Sequence, residues 1–137
     1  MPLRRTPLRL MVPWFALGTI GTVAAPACGD PLGPEDVIGI WHTESIGGFI
    51  VPGLVVYDGI TYNTEYARWT FYADGLCTLT QKVDATTDTF DHCDYIVHTE
   101  TSAITVNFLS DAWEGSVHGQ TMTLTDWKGV EWVLLQQ

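Results

Sequence analysis

Three cysteines are the most reactive side chains of this 137-residue chain: Cys28, Cys77 and Cys93. No two of them have the C-x-x-C spacing of a zinc or dithiol site, so metal binding by cysteine is not expected. In an oxidising compartment an odd count leaves one thiol over. The chemistry to expect is one disulfide and one cysteine put to another use. The other reactive groups form no catalytic constellation. His42, His92, His98 and His118 are scattered, with neither H-x-x-x-H nor H-E-x-x-H spacing. Gly115-Ser116-Val117-His118-Gly119 departs from the G-x-S-x-G elbow, and no strand-to-helix turn surrounds it. Asp84, Asp88, Asp91 and Asp94 crowd one region without the D-x-[DN]-x-[DN]-G pattern of a calcium loop, so a solvated acidic loop is expected. The sequence thus gives no catalytic residue, no metal site and no cofactor motif, and it does not read as an enzyme.

The stretch before Cys28 explains the surplus cysteine. Arg4, Arg5 and Arg9 precede an uncharged apolar run from Leu10 to Ala24, the plan of a secretory signal. The run falls short of the roughly 20 residues that a membrane-crossing helix needs, and Pro13, Gly18 and Gly21 weaken it further. Small residues, Ala25-Pro26-Ala27, then lead directly to Cys28. This arrangement resembles the lipobox of bacterial lipoproteins. The resemblance implies cleavage after Ala27, a thioether-linked diacylglycerol on Cys28, and a cell-envelope membrane as the partner of that anchor. One position departs from the pattern: Ala25 stands where a large aliphatic residue is usual. Ala25-Pro26-Ala27 also fits the A-x-A site of an ordinary signal peptidase, which would give a soluble secreted or periplasmic protein instead. Acylation of Cys28 would leave Cys77 and Cys93 as a pair.

Residues 1–27 are accordingly read as a signal peptide and 28–36 as a tether, because Gly29-Asp30-Pro31-Leu32-Gly33-Pro34-Glu35-Asp36 is rich in Pro, Gly and acid. Residues 37–137 are read as one domain with a modest core. The net charge of the whole chain is -10, and three of its six basic residues lie in the signal. Only Arg68, Lys82 and Lys128 then face the acids. Such a surface argues against nucleic acid and against electrostatic attraction to anionic lipid.

From Val37 onward, short stretches alternate with period two between turn signals, and no helical run of useful length occurs. Three turns set the register. A bulged Ala73-Asp74-Gly75 loop pairs Phe71 with Cys77 and Trp69 with Leu79, which sorts apolar from polar faces better than a two-residue turn would. A Gly119-Gln120 turn pairs Val117 with Met122 and Gly115 with Leu124. A second bulged loop, Trp127-Lys128-Gly129, pairs Leu124 with Trp132 and Met122 with Leu134. Sequential hairpins describe a meander, and a meander that closes is an up-and-down barrel, here of about eight strands. If the strands around Cys77 and Cys93 pair about the loop near Ala85, the two cysteines lie opposite each other. Opposed strand residues, about 4.5–5.5 Å apart, are within disulfide reach. Two free buried cysteines are the alternative.

Ile38-Gly39-Ile40-Trp41 opens the first strand. It resembles the G-x-W opening of lipocalins, and the later rhythm of Trp69–Gly75 and Gly115–Leu124 resembles small bacterial lipocalin-like lipoproteins. The resemblance spans about 37–137 and implies an all-β antiparallel barrel whose Trp plugs the closed end. The residues expected inside, filling the barrel or lining a ligand, are Trp41, Trp69, Phe71, Leu79, Tyr95, Val106, Phe108, Trp113, Met122, Leu124 and Trp132. Two functions follow as expectations. One is a lipid-anchored barrel that binds a small apolar ligand. The other is a filled barrel that serves as a structural or interaction protein of the envelope.

Overall fold

A computed structural model describes residues 32–137, and the expected signal peptide and Cys28 lie outside the described residues. The described chain is all-β and antiparallel. In chain order the strands are β1 (Gly39–Ile46), β2 (Phe49–Ile50), β3 (Gly53–Tyr57), β4 (Ile60–Phe71), β5 (Cys77–Val83), β6 (Thr86–Phe90), β7 (Cys93–His98), β8 (Ala103–Phe108), β9 (Asp111–His118), β10 (Thr121–Thr125) and β11 (Glu131–Gln136). They form one sheet in the order β6-β5-β4-β1-β11-β10-β9-β8-β7, with β2 on β1 and β3 on β4.

The turn chemistry sets the register as the sequence implies. Gly75 is left-handed, with φ of 88°, and Trp69 and Phe71 face Leu79 and Cys77. Gly119, with φ of 61°, opens the turn that pairs Val117 with Met122 and Gly115 with Leu124. Gly129, with φ of 81°, closes the loop that pairs Leu124 with Trp132 and Met122 with Leu134. Gly115 has a second role: a Cβ there would lie 1.9 Å from the Thr123 carbonyl oxygen, so only glycine permits this approach of β9 to β10.

Eleven strands form where about eight were expected. Two differences account for the surplus. β2 and β3 are a short insertion between β1 and β4. Further on, β6 and β7 are two parts of one broken strand, interrupted at Asp91-His92. The first part pairs with β5 and the second with β8.

This break corrects the route to the disulfide. Cys77 and Cys93 are bonded, with Cα atoms 4.9 Å apart. They are not partners in a continuous ladder, because β6 occupies the place beside β5, with Leu79 facing Phe90. The chain leaves that ladder at Asp91 and returns to β5 through a single bridge, Leu76 to Asp94. Tyr95 N–H donates to the Gly75 carbonyl at 2.9 Å, and Tyr95 Oη donates to the Tyr72 carbonyl at 2.6 Å. The ends of the curled sheet meet at this corner, and the disulfide fastens them.

The folded unit begins before the expected tether ends. Leu32 is buried in the core, and Pro34–Asp36 form a 3-10 turn. The Gly33 N–H donates to Asp36 Oδ2 at 2.8 Å, so the acid read as a spacer is instead a local cap. Val37 is fully buried, and its carbonyl accepts the Trp41 indole N–H at 2.8 Å. Apolar burial of Leu32 and Val37 holds the segment against the start of β1.

Candidate functional site

The interior has two parts. In the first, alternation is strict and side chains fill the space. The Trp69 ring lies 5.3 Å from those of Phe108 and Trp113 and 6.2 Å from that of Phe71, while Phe71 meets Tyr95 edge-on at 5.1 Å. Trp41, Leu79, Val106, Met122 and Leu124 are buried around them. The indole N–H groups of Trp69 and Trp113 and the Thr43 hydroxyl are buried there without a protein partner.

The second part is a cavity of about 270 Å³ where β1 finishes and β4 and β11 begin. Ile46, Val55, Val83 and Trp132 supply its apolar wall, and Tyr57, Tyr62, Thr64 and Gln81 its polar groups. Trp132 is also in ring contact with Trp69 and Trp113, so it separates the cavity from the packed interior. Of the eleven residues expected inside, all are buried, and Trp132 alone lines the cavity.

Two bulges build this end. On β1 the ladder to β11 shifts between Thr43 and Ser45, so Ile46 is the next inward residue after Thr43. On β4 the ladder to β5 shifts between Thr64 and Tyr66. Without that shift Glu65 would follow Ala67 and Trp69 inward; with it Glu65 faces solvent, paired with Lys82 at 3.3 Å, and Thr64 and Tyr62 face the cavity. The insertion then closes one side: β3 lays Val55 and Tyr57 against the cavity, while Leu54 and Val56 point out and are exposed.

One carboxylate is buried at the rim. Asp126 Oδ1 accepts the N–H groups of Lys128 and Val130 at 2.9 and 3.0 Å. Its Oδ2 accepts the Tyr57 hydroxyl at 2.6 Å and the Trp132 indole N–H at 3.2 Å. The same acid therefore shapes the β10–β11 loop and orients two cavity residues. Burial, then the hydrogen bond to Asp126, then the charges of Asp126 and Asp58 push the Tyr57 hydroxyl well above its ordinary pKa, so it stays protonated. Asp126 and Tyr57 were missed in the sequence. An Asp two residues before a loop N–H it can accept is a recognisable turn signal for Asp126. Tyr57 lies 69 residues away and carries no local signal.

The remaining reactive groups are dispersed. His42, His92, His98 and His118 are all exposed. Asp84 accepts the Asn63 N–H at 2.8 Å and Asp94 the Asn107 amide at 2.8 Å, while Asp88 and Asp91 are exposed. Among the described residues no three His, Cys, Asp or Glu side chains come together as metal ligands would. No protein-family model matches the chain, and no curated protein is significantly similar to it.

Proposed function

We propose that the protein is exported, anchored to a cell-envelope membrane through a lipid on Cys28, and binds a small apolar molecule at the open end of a lipocalin-like barrel. The cavity carries the binding part of this reading. A concave, mainly apolar space with a few converging polar groups is the usual form of a small-molecule site, and 270 Å³ is near the lower limit of roughly 300 Å³ for such sites. The export signal and the residues before Cys28 support the anchor, and the Cys77–Cys93 bond fits an oxidising compartment. The packed aromatic half favours a second reading, a filled barrel acting through its surface. Titration of tryptophan fluorescence with short apolar probes separates the two, because Trp132 lines the cavity. Saturable quenching that disappears in Val83→Trp supports ligand binding. A flat response in the wild type leaves the filled barrel. For the anchor, Cys28→Ser should move the protein from the membrane fraction to the soluble one; a wild type that is already soluble removes the anchor.

A further inference from the structure

We infer that the cavity selects apolar molecules ending in a hydrogen-bond donor, neutral or cationic, and rejects carboxylates. The inference rests on the mouth cavity being a ligand site and adds the chemistry of its ligand. The deciding group is the Tyr57 hydroxyl. Its proton is committed to Asp126 Oδ2 at 2.6 Å, so what it has left to offer a ligand is a lone pair. A ligand hydroxyl or ammonium can donate to it, whereas a carboxylate, which only accepts, cannot. Behind Tyr57 stands the Asp126 carboxylate, itself buried, so charge repulsion there is poorly screened by water. Tyr62, Thr64 and Gln81 each offer both a donor and an acceptor and do not discriminate.

The surrounding charge acts in the same direction. Among the described residues the cations are Arg68, Lys82 and Lys128, while all of the chain's 16 acidic residues except Asp30 lie in 32–137. Lys128 is paired with Asp58 at 2.9 Å and Lys82 with Glu65 at 3.3 Å, and Arg68 lies over the Tyr66 ring. Each cation is engaged on the outer surface, and none lines the cavity to receive an anion.

The test compares three probes of equal chain length, 1-decanol, decylamine and decanoate, on the protein purified as the cell processes it. Calorimetry and tryptophan quenching are read at neutral pH. Decanol and decylamine should saturate, and decanoate should bind at least about tenfold more weakly, because Tyr57 has no proton free to give it and the Asp126 carboxylate behind Tyr57 repels it. Raising the salt should erode the advantage of decylamine over decanol and leave decanol unchanged. In Tyr57→Phe, decanol should lose affinity while the wild-type ranking supplies the result that does not depend on the variant folding. Decanoate binding as tightly as decanol overturns the inference and leaves the cavity reading intact, with Tyr62, Thr64 and Gln81 as the donors that receive it. Silence from all three probes overturns the cavity reading together with the inference.

Discussion

The two halves of the interior are built by the same strands, yet one is packed and the other is hollow. β1, β4, β5 and β11 contribute to both. Where their alternation runs unbroken, Trp41, Trp69, Leu79 and Leu134 point inward and meet each other. Where bulges at Thr43/Ser45 and Thr64/Tyr66 interrupt it, smaller or more polar residues point inward and the sheet splays enough to admit β2 and β3. A regular period makes a core, and a broken one leaves a cavity.

Charge substitution puts the largest strain on that comparison. Trp69→Asp places an unpaired carboxylate in the packed half and should cost more than about 4 kcal/mol, or prevent folding. Val83→Asp, on the half-buried cavity wall, should cost about 1–2 kcal/mol because water reaches it. Urea melts measure both, and equal losses would mean that the two halves do not differ in solvation. The next effect in size concerns the seam. Replacing Cys77 and Cys93 together with Ser should lower stability by about 3 kcal/mol, the chain-entropy value for a loop of this length. Mass spectrometry of the non-reduced protein should show neither thiol alkylated in denaturant; two alkylated thiols would remove the bridge.

The smallest effect tests the rim. Tyr57→Phe removes one of the four hydrogen bonds to Asp126 and should cost about 1–2 kcal/mol near neutral pH. It should also change the alkaline limb. The Tyr57 pKa is raised in the folded state, so its contribution is present below the ordinary tyrosine value of about 10 and is lost as pH rises above it, where only the unfolded chain releases the proton. The wild type should therefore lose stability above that pH more steeply than Tyr57→Phe. Parallel limbs would show that the Tyr57–Asp126 bond does not hold in solution.

What the sequence disclosed followed from local chemistry. Gly75, Gly119 and Gly129 each demand a specific turn, the turn sets the register, and the register decides which side chains are interior. The features it concealed depend on contacts far apart in the chain. The bulges on β1 and β4 and the break at Asp91-His92 occur in a sheet curled far enough for Cys77 to meet Cys93, and no nearby residue announces them. No local signal marks Phe49–Tyr57 as an insertion that brings Val55 and Tyr57 to the cavity. Hence the disulfide was legible although its ladder was not, and the interior set was legible although the cavity beside it was not.

The interrupted strand has a further consequence, for the behaviour of the protein at high concentration. A sheet that stops at β6 ends on a row of backbone groups that a second chain could extend into a growing aggregate. β6 is poorly suited to such recruitment. It is five residues long, Thr86-Thr87-Asp88-Thr89-Phe90, with a carboxylate at its centre and only Phe90 partly covered. A newcomer would have to place a strand against that charge for the sake of very few hydrogen bonds. The same interruption that lets the sheet turn back on itself therefore leaves its last strand too short and too polar to seed a fibril.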